Sequence, residues 1–386
     1  MVPGPAERHR QGPAAPRSGI LELGPQHDGH RSVRYRCSLV SMLSSMEVQS
    51  RALGGQAAGS GAEAPQAMEV VAGPVTDRLD LGGVTLALRR YSPAAPCVVL
   101  LHGLASNARI WDAVGTALAA RRVPAVAVDQ RGHGGSSRPA DGYDLATAVG
   151  DLDAALEAVG AVRPVVVGHS FGAHVALQQG ADGHYPTGGL LGIDGGFLDW
   201  RATPGLTADL AEERLAPNAW AMPLAEWRQA PWLPTEIDPE TPWIRAFLDG
   251  SVLAGPDGLV RPRLATAAHA ALARSLVEQH PEVLVARLAV PFQFCLATRE
   301  DLPIPKAPGF DRLRRRFPAG RYCIHEDGAH DLPLTEPERL AEEITDFVLR
   351  ASVAGIPGRA VSPGADRSRT LSCAETGSAP TLSCNP

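Results

Sequence analysis

No stretch of the 386-residue sequence is apolar for the roughly 20 residues that a helix needs to cross a bilayer. The nearest candidate, "CSLVSMLSSM" at 37–46, is short, serine-rich and far from the first residue, which makes a poor signal peptide. Runs of one charge are equally scarce. Beyond Arg314, Arg315 and Arg316 there is no like-charged block, and the net charge is −6, which argues against nucleic acid or an anionic membrane surface as partner. The chain has 6 cysteines and no C-x-x-C spacing, so zinc-ribbon and dithiol chemistry are excluded and a disulfide framework is not expected at this length. Cys97, Cys295 and Cys323 sit in apolar runs, where they read as small buried hydrophobes. No G-x-x-x-x-G-K-[ST] occurs, and "GHGG" at 132–135 lacks the full dinucleotide fingerprint. His102, His133, His169, His174 and His330 show no metal-binding spacing with a carboxylate. These absences predict a soluble cytoplasmic protein with no metal, no cofactor and a small molecule as its partner.

What remains is 44% hydrophobic, with 40 glycines and 34 prolines concentrated towards the ends. Residues 1–75 have no period of 2 or 3.6 and predict a disordered N-terminal extension, with Met68 an attractive alternative start. Residues 353–386 predict a disordered tail by the same reasoning. Patterning begins with "RLDLGGVTLALRRY" (78–91), a hairpin around Gly82 and Gly83. Then short continuous apolar runs alternate with helical periods. The runs are 97–103, 123–129, 164–168, 189–194, 291–297 and 321–326, and they read as strands buried on both faces. Asn107 and Asp144 are N-cap candidates for two of the helices, and the last helix opens at Pro337. Alternation of this kind predicts an α/β fold, a mostly parallel sheet covered by helices on both sides. It breaks at 197–287, which reads as an all-helical insertion between two core parts, 76–196 and 288–352. Trp200, Trp220, Trp227, Trp232 and Trp243 lie in or at the entrance to that insertion, as pocket walls or as filling for a small helical core.

The run "VVVGHSFGAH" (165–174) ends by placing Ser170 between Gly168 and Gly172. A G-x-S-x-G that follows a strand and opens a helix puts its serine on a tight turn, whose crowded neighbours must be small. Such a serine sits beside the amides of a helix N-terminus, where a developing oxyanion is stabilised. Serine is a weak nucleophile at neutral pH and needs a base, which needs an orienting acid. His169 adjoins the serine and reads as structural; His330, in "EDGAHDLPLTEP" after the last strand, is the better base. Three carboxylates lie at or beyond strand ends: Asp301 is preferred, then Asp194, then Glu300.

Taken together, "LLHGLASNARIW", "DQRGHGGSS", "GHSFGAH", an acid after "PFQFCLAT", and "GAH" followed by "EP" resemble the α/β-hydrolase superfamily over about residues 76–350. The order serine, acid, histidine agrees with that family, although Thr298 stands where many members have glycine before the acid. The resemblance implies an α/β-hydrolase fold, an oxyanion hole from the backbone N–H of Leu104 and Phe171, and a helical cap over residues 197–287. It implies a serine hydrolase acting on a small apolar ester, lactone or thioester. Carbon–carbon bond hydrolysis, peracid formation and a slow-turnover ligand receptor are the alternatives; a serine rather than an aspartate at 170 disfavours epoxide and dehalogenase chemistry.

Overall fold

Six β-branched apolar runs and one hairpin assemble into an eight-stranded sheet in the computed structural model, which describes residues 74–354 apart from 216–218, 300 and 303–304. The expected tail beyond residue 354, nearly all of the expected N-terminal extension, Met68 and Glu300 lie outside the described residues. β1 (Val75–Asp80) and β2 (Thr85–Arg90) pair antiparallel with Asp80 opposite Thr85. Gly82 turns the hairpin at φ 80°, a conformation glycine adopts without steric penalty. The first strand thus begins at Val75, the last residue of the expected extension.

β3 (Val98–Leu101) is followed by a 3-10 turn (Ala108–Trp111) capped by the Asn107 side chain, which runs into α1 (Asp112–Ala120). Then come β4 (Ala125–Asp129), α2 (Leu145–Ala158), β5 (Val165–His169), α3 (Phe171–Asp182) and β6 (Gly189–Ile193). Asp144 caps α2 by accepting from the Thr147 amide. The inserted segment contains α4 (Ala208–Arg214), β7 (Met222–Pro223), α5 (Leu224–Trp227), α6 (Pro242–Gly250), β8 (Val252–Ala254), β9 (Leu259–Pro262), α7 (Thr266–Glu278) and α8 (Pro281–Val285). The core resumes with β10 (Phe292–Ala297), α9 (Ala307–Arg316), β11 (Arg321–His325), α10 (Leu332–Thr335) and α11 (Pro337–Ala354).

The sheet order is β1-β2-β4-β3-β5-β6-β10-β11, parallel from β4 to β11. Alternate side chains along each central strand feed opposite faces. Val99 and Leu101 join the core under α2 and α3, whereas Val98 and Leu100 join the core under α1 and α11. Both faces are therefore dry, which is why these strands read as unbroken apolar runs.

The inserted segment is not all-helical. β7, β9 and β8 form a small antiparallel sheet, with the β8–β9 turn closed by Gly255 N–H donating to Leu259 O. Strands of two to four residues are too short to show a period of two, so the pattern of the surrounding helices hid them. Among the described residues no helix is long and apolar enough to cross a membrane.

Candidate active site

The C-terminal ends of the parallel strands are where a sheet of this kind leaves room for a ligand. Ser170 leaves β5 at φ 53° and ψ −117°, a backbone conformation a side chain rarely accepts. The flanking glycines follow from space. A Cβ at Gly168 would lie 2.2 Å from the Gly172 carbonyl carbon, and one at Gly172 would lie 2.4 Å from the Leu101 carbonyl oxygen. The Ser170 amide donates to Ile193 O at 2.9 Å, fixing the turn against β6.

His330 is brought to the same end of the sheet by the loop between β11 and α10, and is buried. Its Nδ1–H donates to Oδ2 of Asp194 at 2.7 Å. Asp194 directly follows β6, is fully buried, and has φ 43°. Its Oδ1 accepts from the Ala297 amide at 2.9 Å, and its Oδ2 also accepts from Lys306 Nζ at 2.9 Å. Burial alone would raise the Asp194 pKa, but the hydrogen bond and charge of His330, with the charge of Lys306, hold it below the ordinary value. Burial alone would lower the His330 pKa; the hydrogen bond and charge of Asp194, joined by Asp331 and Asp301, raise it.

The preference for Asp301 is therefore corrected. Asp301 lies beyond the end of β10, and its two oxygens are engaged elsewhere: Oδ2 by the His330 backbone amide at 2.5 Å and Oδ1 by Lys306 at 3.0 Å. The carboxylate that reaches the imidazole is the second candidate, Asp194. A sequence signal for it existed in "GIDGG". An acid on the last turn of a strand, followed by glycine, repeats the crowding at Ser170, and a Cβ at Gly195 would lie 2.4 Å from Ser170 O.

His169 braces His330 from behind. Its Nε2–H donates to the His330 carbonyl at 2.8 Å, and burial first, then His330, lowers its pKa to about 3. Leu104 follows β3 in a loop where Ala105 takes φ 58°. Two neutral histidines brace that loop. The Ala105 amide donates to His133 Nε2 at 3.1 Å, and the Gln130 amide donates to His102 Nε2 at 3.1 Å. Each accepting Nε2 requires its ring to carry the proton on Nδ1, and burial keeps the two pKa values at about 3 and about 4 respectively. Asp129 adds a third tie, accepting from the amides of Ala108 and Gly135 at 2.6 and 2.7 Å. "DQRGHGG" is thus the support of the Leu104 loop, a part the sequence reading did not assign.

Ser170, Leu104 and Phe171 line one enclosed, mainly apolar cavity with Leu198, Leu276 and Leu302. Trp200 reaches this cavity, whereas Trp220 stacks on Trp227, which packs tilted against Trp232 within the inserted segment. Lys306, which the sequence did not single out, is buried between two aspartates.

Two groups among the described residues could offer three ligand atoms to a metal: His169, His330 and Asp331, and separately Cys295, Cys323 and Glu343. In the first, the His169 Nε2–H and the His330 Nδ1–H are already donated, to the His330 carbonyl and to Asp194, which leaves His169 Nδ1 and His330 Nε2 as the nitrogens with a lone pair. In the second, Cys295 and Cys323 face each other in register on β10 and β11, with Cys323 only half-buried.

A family profile described as "Alpha/beta hydrolase family" matches residues 98–343. RutD of Enterobacter cloacae subsp. cloacae, which carries the name of a carbamate hydrolase, is 30% identical over 257 residues, 63% of this chain and 88% of its own length. Epoxide hydrolase A of Mycobacterium tuberculosis is 44% identical over 107 residues, 27% of this chain and 33% of that protein. The 2-(acetamidomethylene)succinate hydrolase of Mesorhizobium japonicum is 31% identical over 107 residues, covering 28% and 38%. The chain thus spans between about a third and two fifths of the length of these last two relatives. The crystal structure of E-2-(acetamidomethylene)succinate hydrolase superposes with a TM-score of 0.61 at 23% identity, covering 71% of this chain and 99% of that one, a likeness of fold.

Proposed function

Since the chain belongs to the alpha/beta hydrolase family, we propose that it is a cofactor-independent serine hydrolase that forms an acyl-enzyme on Ser170. The observation that carries the reading is the 2.7 Å hydrogen bond from His330 to Asp194 at the same sheet end as the strained Ser170 turn. His330 Nε2 takes the Ser170 proton as Oγ attacks a substrate carbonyl. Asp194 fixes the imidazole with its proton on Nδ1 and stabilises the imidazolium that forms. The N–H of Phe171, in the first turn of α3, has no acceptor within that helix, which supports its reading, with the N–H of Leu104, as a donor to the oxyanion. Loss of one such donor costs about 3 kcal/mol of transition-state stabilisation. His330 then returns its proton to the leaving group and activates the water that frees the acyl group.

The mainly apolar cavity wall suits a small ester, lactone or thioester, and the segment 197–287 acts as the cap that shields it. An aspartate nucleophile, as epoxide opening would require, is replaced here by Ser170. A fluorophosphonate probe should label the protein at Ser170, located by peptide mass mapping, and labelling should vanish in Ser170→Ala. Undiminished labelling of that variant would refute the assignment.

A further inference from the structure

We propose that the cavity beside Ser170 contains a polar subsite, formed by His174, Trp200 and His269, that binds an acyl group bearing a neutral hydrogen-bonding function, a hydroxyl or a secondary amide; this rests on the serine-hydrolase reading. The three residues come from separate elements, α3, the 3-10 turn Trp200–Ala202, and α7, and all three line the cavity with Ser170. Their relative exposures are 2%, 7% and 1%. His174 Nε2, Trp200 Nε1 and His269 Nε2 are each buried without a hydrogen-bond partner among the described residues. Nearly all buried polar atoms in proteins are paired, and three of the unpaired ones among the described residues gather on side chains that line this one cavity, which is the clustering a ligand would complete.

The donor and acceptor senses can be read. Gln279 uses its amide nitrogen as a donor to the His174 carbonyl at 3.0 Å and to Gln178 Oε1 at 3.1 Å. Its Oε1 therefore faces the ring and accepts from His174 Nδ1–H at 2.5 Å. With the proton on Nδ1, His174 Nε2 presents a lone pair. Burial lowers the pKa of His174 to about 4 and of His269 to about 3, so both rings are neutral at pH 7. The Trp200 indole N–H can only donate. The residues lining the cavity thus include an acceptor in His174, a donor in Trp200, and in His269 a third ring nitrogen. A hydroxyl or a secondary amide answers both senses at once. A plain alkyl chain would leave all three atoms unpaired. A carboxylate would meet no cation, because no Arg or Lys lines the cavity among the described residues.

The test uses the full chain and p-nitrophenyl esters of matched acyl length, one series alkyl and one bearing a hydroxyl or acetamido group along the chain. The readout is the ratio of kcat/KM, polar over alkyl. A site built to pair with a polar group rejects the analogue that lacks it, so the wild-type ratio is expected to be about ten to a hundred for the best-placed group. His174→Leu and Trp200→Phe, each with an intact thermal transition, should each lower that ratio by about tenfold. A wild-type ratio near one across the panel would overturn the subsite. So would a ratio unchanged in whichever of the two variants folds. A wild type that cleaves neither series and takes no probe at Ser170 would instead overturn the serine-hydrolase reading, and the subsite with it.

Discussion

One oxygen of Asp194 receives two donors, His330 Nδ1–H at 2.7 Å and Lys306 Nζ at 2.9 Å, inside a fully buried pocket. These donors hold the Asp194 carboxyl below its ordinary pKa against the opposing effect of burial, and its charge keeps pulling on the imidazole. The sign of the pH dependence follows. In the proposed mechanism His330 acts as a base only when Nε2 is unprotonated, and Asp194 raises the His330 pKa above the ordinary 6.5 against the lowering effect of burial. The kcat/KM profile should therefore rise on a limb centred above pH 6.5 and fall about tenfold per unit below it. Asp194→Asn removes the group that opposes burial, so any residual limb should move to lower pH, and kcat should drop by about 10⁴-fold because the wrong tautomer is favoured. Asp301→Asn keeps an oxygen for the His330 amide and should cost less than about tenfold. A profile in which Asp301→Asn collapses and Asp194→Asn does not would reverse the two assignments.

At the scale of elements, the loop from β10 to α9 is pinned to the loop from β11 to α10 through Lys306 and Asp301. Lys306 is wholly buried, and its charge is balanced by Asp194 and Asp301. Breaking a buried pair by deleting one partner leaves an uncompensated charge, at a cost of about 3–5 kcal/mol. Asp194 retains His330, so Lys306→Met is expected at the lower end, about 3 kcal/mol, read from urea unfolding at pH 7. Adding Asp301→Asn removes the charge left without its cation and should restore part of that loss; equal stability of Lys306→Met and wild type would show that the pair is energetically idle. This tie also marks the limit of what the sequence reveals. The strands were legible because burial on both faces writes an unbroken apolar run, and Ser170 because a strained turn demands glycine on both sides. The preference for Asp301 over Asp194 could not be secured within either segment, since which of them meets His330 depends on how β6, β10 and β11 lie side by side. Lys306 in "PIPKAP" and the neutral His102 and His133 carry no local mark of burial at all. Their roles exist only once distant loops are folded together.

For the molecule as a whole, the described residues contain both halves of the core, one on each face of the sheet. On one of those faces α11 contributes Leu340, Ile344, Phe347 and Val348, with relative exposures of 0, 0, 1 and 5%. Fully burying a large aliphatic or aromatic side chain is worth about 1.5–3 kcal/mol, so these four together supply about 6–12 kcal/mol. That is as large as the whole stability of an ordinary domain, about 5–15 kcal/mol. A fragment of residues 74–354 keeps this helix and every element that holds Ser170, Asp194 and His330. It is expected to unfold in one cooperative thermal transition and to retain kcat/KM within about twofold of the full chain. A fragment ending at residue 336 keeps the same three residues but uncovers that face of the sheet, and it should show no cooperative transition. If the longer fragment also failed to unfold cooperatively, the stability of the core would have to depend on residues outside 74–354. The burial argument would then be insufficient, however well the active-site geometry is satisfied within those residues.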